Sequence, residues 1–475
     1  MSGRRLADLE ARVRLELELT EHPSLEWMPE TSGPNGAHVY DVAIAGAGQG
    51  GVATALQLKR DRVRNVLVFD KAKLGWEGPW RTYARMPTLR SPKDYTGPDL
   101  GLPSLTYRAW HEAKFGADDW EATDLIPAAH WAEYLIWVRE TAGIQTEAET
   151  ELTGIRPAPG DLLALDLATP TGTREVFARK LVLATGQDGA GRWLAPPEAT
   201  RLPTEYWAAT ADDIDFDSLA GRDVAVLGAG ASAADNAAMA LEAGARSVRM
   251  FVRRKIMQRV QPYRWLTFSG FLRHYADLDD AWRWRFMSYI LGLRESIPQP
   301  TYDRLRVHDN FEIVTGAPWT DAALIDGRIR LDTPKGPFSA DYLICCIGME
   351  VDFAARAELA PFADAIQTWA DVYAPPTAEA NPRLGRYPYL DRNGAYSEKA
   401  PGAAPFLRHI YDFTFAATMS FGASGCSINA MKIAAPRLAA GITRALFQED
   451  AERHWQSLQA YEETVFEPAE IDRDK

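Results

Sequence analysis

The stretch YDVAIAGAGQGGVATALQLKR, Tyr40 to Arg60, followed by VLVFD, Val66 to Asp70, decides the fold. Its opening is an apolar run of strand length, after which Gly46, Gly48 and Gly51 stand at GxGxxG spacing before an Ala- and Leu-rich helical segment. Glycines there let the backbone turn tightly and approach a diphosphate closely, and the helix N-terminus then faces the anion. Gln49 lies inside the loop, within reach of a bound group or water. Asp70 comes 70 − 51 = 19 positions after the last glycine, at the end of the next apolar strand, where a carboxylate accepts ribose hydroxyls; Lys71 follows it. The whole reads as a βαβ unit that cradles a dinucleotide.

The same grammar returns in mid-chain. DVAVLGAGASAADNAAMALEAGA, Asp223 to Ala245, gives Gly228, Gly230 and Ala233 at GxGxxA spacing with Ser232 in the loop, and VRMFVRR ends its second strand on Arg253 and Arg254. A carboxylate at that point would repel a 2′-phosphate, whereas guanidinium groups bind one through charge-assisted forks. The first, acid-bearing cradle therefore suits FAD and the second, arginine-bearing one suits NADPH. Reduced nicotinamide needs a second redox carrier, and a flavin is the natural one. LVLATG, Leu181 to Gly186, and YLICCIG, Tyr342 to Gly348, read as buried strands that end on Gly186 and Gly348 beside the two cradles.

The 475 residues exceed what one core usually organises. The expected fold is α/β, with two Rossmann-like dinucleotide-binding domains, the second inserted in the first. Residues 1–37 are expected as an N-terminal helical extension, for packing or for a homodimer contact. Residues 38–190 and 346–475 form the two parts of the FAD domain, the latter with a C-terminal helix. Residues 191–345 form the NADPH domain, with a helical insertion at about 255–310 that is rich in Trp, Phe, Tyr and Arg.

A net charge of −13 and a pI near 5.2 disfavour nucleic acid and anionic lipid as partners, so any anionic ligand needs a local basic site. A mean hydropathy of −0.27 with no apolar run of spanning length argues against a membrane role, and without a signal-peptide core the expected address is cytoplasmic. The three cysteines, Cys345, Cys346 and Cys426, contain no CxxC pair, which argues against a redox dithiol.

These motifs resemble the class B flavoprotein monooxygenases, which include flavin-containing, Baeyer-Villiger and N-hydroxylating enzymes. The likeness rests on GAGQGG at Gly46 to Gly51, Gly78-Pro79-Trp80, LATG at Leu183 to Gly186, GAGASA at Gly228 to Ala233 and CIGMEVDF at Cys346 to Phe353. It implies a small-molecule substrate, O2 as oxidant, and a 4a-hydroperoxyflavin that transfers one oxygen atom. The FxGxxxHxxxW signature of the Baeyer-Villiger group has no good match, since LPTEYWAATADD puts Trp207 where its His belongs; this gives N-hydroxylation a slight preference over S-oxygenation or Baeyer-Villiger chemistry. A flavin-dependent NAD(P)H reductase that oxygenates nothing is the alternative.

Within the family's frame Trp80 runs beside the flavin. In TLRSPKD, Arg90 either stabilises a peroxide anion there or forms a structural ion pair, and Lys93 and Asp94 either orient substrate or cap a turn. The segment from Gly422 to Asn429 precedes a helix whose N-terminus would face the flavin ring.

Overall fold

The computed structural model describes residues 2–423 and 425–466. In chain order the strands are β1 (Val39–Ala45), β2 (Val66–Phe69), β3 (Glu151–Ala158), β4 (Leu162–Thr169), β5 (Gly172–Leu183), β6 (Gly191–Trp193), β7 (Trp207–Ala209), β8 (Asp223–Leu227), β9 (Ser247–Val252), β10 (Phe311–Thr315), β11 (Asp321–Ile325), β12 (Arg328–Thr333), β13 (Gly336–Ala340), β14 (Tyr342–Cys345), β15 (Met349–Val351) and β16 (Ile410–Asp412).

Two sheets organise them. In the first, the long β5 serves two layers: its C-terminal half pairs in parallel with β1 on one side and β16 on the other, and its N-terminal half pairs antiparallel with β4. β2 lies outside β1, and β3 outside β4. The second sheet is all parallel, in the order β10-β9-β8-β14-β7. The chain thus leaves the first sheet after β5, builds the second and returns with β16. Fully parallel strands need cover on both faces, which is why β8 reads VAVL without alternation. Ala233, Ala234, Ala237 and Ala238 of the helix Ala231–Glu242 cover one face, and small side chains let that helix lie close. The other face is covered through Trp319, Ile329 and Leu331, which belong to or adjoin the β11-β12-β13 meander.

Residues 262–306 contain four helices, Pro262–Trp265, Ser269–His274, Asp280–Leu293 and Gln299–Arg306. Phe271, Leu272, Tyr275, Trp284, Met287 and Ile290 join the core of the first sheet's body, not that of the second. The Tyr275 hydroxyl fixes this docking by donating to the Met419 carbonyl at 2.9 Å. The helical segment therefore spans from one body to the other and walls the space between them. The N-terminal helix Ser2–Leu19 packs on the first body, where Val13 is fully buried and Glu10 accepts from the Trp137 indole at 3.2 Å. No described helix is long and apolar enough to cross a membrane.

Candidate active site

Between the two bodies runs a cleft of about 1410 Å3. The first glycine loop adjoins a separate small pocket that shares Trp80 with this cleft. Gly46 has φ +104, and a Cβ there would stand 2.5 Å from the Ala184 carbonyl oxygen; one on Gly51 would stand 1.8 Å from the Gly46 oxygen. Only glycine closes this turn. Asp70 ties the loop to the end of β2, accepting from the Ala47 amide through Oδ2 and from the Ala72 amide through Oδ1, each at 2.8 Å. Burial raises its pKa while those two amides oppose the rise.

Gly48 caps the helix Gln49–Arg60 without a side-chain hydrogen bond, which leaves the first-turn amides open to an anion. Gln49 Oε1 is buried with no partner, as expected of a group that awaits a ligand donor. Trp80 lines both the main cleft and a small pocket beside Ala47 and Gly48, and Gly186, at φ +70, faces open space. An uncapped helix, an orphaned amide oxygen and a turn closed to any Cβ fit FAD. Lys71 is exposed and lines neither cavity.

The second loop mirrors the first. A Cβ on Gly228 would meet the Cys346 oxygen at 2.5 Å and the Ala233 Cβ at 2.8 Å, and Gly230 caps its helix without a side-chain bond. Ser232, Ala233 and Gly348 line the cleft beside it. The two arginines at the end of this βαβ unit part company. Arg253 faces the cleft with no hydrogen bond or ion pair among the described residues, whereas Arg254 donates to the carbonyls of Gly292 at 2.8 Å and Leu293 at 3.1 Å. Of the pair read from sequence, Arg253 is the one left available to a phosphate.

The TLRSPKD segment is only partly at the cleft. Arg90 lines it, but its guanidinium is engaged by Asp235 at 2.6 Å and by Glu295 at 3.2 Å, so its charge is compensated and the ion-pair reading is the one realised. Lys93 and Asp94 correct the expectation of a substrate-orienting pair. Lys93 Nζ donates to the carbonyls of Trp120 at 2.8 Å and Thr123 at 2.7 Å and sits over the Trp120 ring, while Asp94 is exposed; neither lines the cleft.

Cys426, Ser427, Ile428 and Asn429 line the cleft just before the helix Met431–Glu449, which packs on the helix Gln49–Arg60. Burial pushes the Cys426 thiol up to about 12, which favours the thiol over the thiolate that a nucleophile needs. His409 lies elsewhere, buried, with Lys180 Nζ 2.7 Å from its Nδ1 and the exposed Asp161 3.0 Å from its Nε2. Tyr263, Arg294, Glu295 and Tyr387 line the cleft and were not picked out by sequence reasoning. They sit in the helical segment and in the irregular stretch before β16, where no spacing rule singles them out.

Around the cleft the charge balance reverses. The chain carries −13, yet the cleft is lined by nine arginines against two carboxylates, Glu295 and Glu350. Such a basin concentrates anions.

Comparison with known proteins agrees with this geometry. Residues 43–269 match the family model described as pyridine nucleotide-disulphide oxidoreductase. Over 465 residues, 97% of each chain, the protein is 38% identical to the FAD-dependent urate hydroxylase of Xanthomonas campestris pv. campestris. Among solved structures, the ornithine N-hydroxylase of Kutzneria sp. 744 aligns with TM-score 0.66 at 18% identity, covering 86% of this chain and 99% of that one. The ornithine hydroxylase of Pseudomonas aeruginosa aligns with TM-score 0.67 at 15% identity, covering 86% and 100%; both share the fold.

A cleft between two dinucleotide cradles defines a flavin- and nicotinamide-dependent oxidoreductase. The chain belongs to the same family as that Xanthomonas relative and is an FAD-dependent hydroxylase with FAD and NAD(P) as its cofactors, on the fold that the ornithine hydroxylases share. The sequence carries no CxxC pair for the disulphide chemistry in that family model's name, and Cys345 and Cys346 are both buried.

Proposed function

We propose that the protein hydroxylates a small, planar, anionic oxo-purine of the urate type, with NADPH preferred over NADH. One observation carries the reading: the excess of arginine around a cleft in an otherwise acidic chain. It suits an anionic substrate and a nucleotide with an extra phosphate, and it matches what the full-length relative's name states.

Within the proposal the first cradle and Asp70 hold FAD, and the second cradle holds the nicotinamide nucleotide with Arg253 on its 2′-phosphate. FAD supplies the activation of O2 once it has accepted hydride. The protein's part is to bind, orient and shield. Trp80, Phe415 and Ile428 present apolar surface to the reacting end of the cleft and limit water there. The overall balance is substrate, NADPH, O2 and a proton going to a product with one added oxygen atom, borne as a hydroxyl on a ring carbon, NADP+ and water. Division of the chain at residues 190 and 345, a homodimer and a cytoplasmic address complete the proposal.

N-hydroxylation of an amine is the second reading, favoured by the fold shared with ornithine hydroxylases and by the absent Baeyer-Villiger signature. The arginine lining opposes it, because an ammonium substrate would enter a field of its own sign. Holoenzyme supplied with NADPH and O2 separates the two. Urate should speed NADPH oxidation and give a product heavier by one oxygen atom. Stimulation by ornithine or lysine without stimulation by urate would reverse the order of the readings.

A further inference from the structure

We propose that Arg294 is the substrate-binding residue that receives the anionic edge of the oxo-purine. The assignment rests on the hydroxylase reading above and names the contact through which that reading selects its substrate.

Arg294 ends the helix Asp280–Leu293 with φ 66 and ψ 170, a backbone region essentially reserved for glycine. The surroundings impose it. Arg254 clamps the carbonyls of Gly292 and Leu293, and Gln258 Nε2 adds a third bond to the Leu293 oxygen at 3.3 Å. With the last turn of the helix held from below, the chain leaves in the one direction that carries the Arg294 guanidinium across to the Gly348 turn. Arg294 Nη1 lies 3.3 Å from where a Cβ on Gly348 would stand.

A side chain held at such backbone cost would ordinarily be found in an ion pair. Arg294 has no hydrogen bond or ion pair among the described residues. Burial depresses its pKa most, and Arg383 and Arg254 add to the fall, while Tyr263 and Tyr387 oppose it. Arg383 itself donates to the Met349 carbonyl at 2.8 Å and cannot neutralise it. Glu295, next in the chain, is committed to Arg90 at 3.2 Å. The charge is therefore uncompensated and faces the cleft.

The remaining neighbours define what would compensate it. Tyr263, half-buried, and Tyr387, buried, stand against Arg294 with no hydrogen-bond partner for either hydroxyl among the described residues. Burial holds both phenols protonated, Tyr387 up to about 12, so both are donors. One planar guanidinium and two phenol O–H groups match a flat ring with several carbonyl oxygens and one delocalised negative charge. Tyr387 also packs against Phe415 with ring centroids 6.2 Å apart, and the Phe415 amide donates to the Gly186 oxygen at 3.2 Å. This places the triad between the two terminal glycine turns, Gly186 and Gly348, where the two cofactor sites converge. A nucleotide phosphate is the rival occupant, yet Arg253 already stands free at the second cradle to receive one.

The test uses holoenzyme and two probes, urate and NADPH, with binding read from the perturbation of the flavin spectrum by urate and from KM for each. Arg294→Gln should weaken urate by about 30-fold or more, the loss of a charge-assisted fork, with NADPH affinity within about twofold. Arg294→Lys should recover part of the urate affinity, and Tyr387→Phe should lose a smaller factor of about five. FAD content equal to that of the wild type shows that each variant has folded. A rise in KM for NADPH with urate binding intact would give the guanidinium to the nucleotide and overturn the assignment. Equal urate binding by wild type and Arg294→Gln would overturn it while leaving the hydroxylase reading standing. Wild-type enzyme with no urate-dependent shift would overturn that reading and the assignment with it.

Discussion

Arg90 Nη2 lies 2.6 Å from Asp235 Oδ2, joining a loop of the first body to the first turns of the helix that opens the second nucleotide cradle. Asp235 is almost fully buried and takes a further bond at 3.0 Å from Thr301 Oγ1, while Arg90 reaches on to Glu295. The pair ties the two bodies together beside the cleft that Arg90 lines, so the relative placement of the two cofactor sites depends on it.

Arg90→Ala would leave the buried Asp235 carboxylate with only Thr301 Oγ1 and the more distant Arg304 Nη1 at 3.9 Å. A stranded buried charge costs about 3–5 kcal/mol, and partial exposure of Arg90 reduces the expected loss to about 2 kcal/mol. The urea midpoint of the holoenzyme should fall, and Arg90→Lys should fall less. An unchanged midpoint would show the pair to be incidental.

Glycine replacements should separate the cradles. Gly51→Ala drives a methyl into the Gly46 oxygen and should give protein with little bound flavin, read as the ratio of visible to ultraviolet absorbance. Gly228→Ala meets the Cys346 oxygen instead and should keep its flavin while KM for NADPH rises about tenfold or more. Flavin loss in both, or in neither, would contradict the assignment of the cradles.

The two arginines after β9 should behave differently. Arg253→Ala removes an uncommitted guanidinium and should raise KM for NADPH about tenfold, with little change for NADH. Arg254→Ala releases the helix end under Arg294 and should disturb both nucleotides and the substrate alike. Equal losses of NADPH and NADH in Arg253→Ala would remove it from the phosphate.

At the start of β8, the central strand of the second sheet, hydrogen bonds from Arg246 hold the Asp223 carboxyl at about 2, below its ordinary value, with Ser247 and Arg328 adding to the effect and burial opposing it. A depressed folded-state pKa stabilises above the unfolded value near 3.8, and the contribution is lost as pH falls toward 2. Asp223→Asn should therefore lower Tm at pH 7 by about 3 °C, allowing for solvent screening. At pH 3 the gap from wild type should be smaller. A constant gap would place the effect in packing.

Both cradles were legible because their chemistry is local: glycine spacing, the strand before and the helix after fall within thirty or so residues. The parallel strands showed as unbroken apolar runs for the same reason. The meander β11-β12-β13 escaped notice because RIRLDT and GPFSA are short, half-exposed strands with mixed patterning. Arg90 could be placed near a cofactor but not paired, since Asp235 is 145 positions away. Lys93 shows the converse, a charged residue in a promising motif whose ammonium is consumed by two carbonyls. Arg294 gave no signal at all; its importance comes from contacts made by Arg254 and Gln258, which only the folded chain brings to it.

The most direct test of oxo-purine hydroxylation is isotopic. Holoenzyme, NADPH and urate are combined under 18O2, and the product is weighed by mass spectrometry alongside the peroxide released. One 18O atom per product molecule, with NADPH consumed in equal amount and little peroxide, is the predicted result. Unlabelled urate recovered intact while all the oxygen consumed appears as hydrogen peroxide would contradict the account.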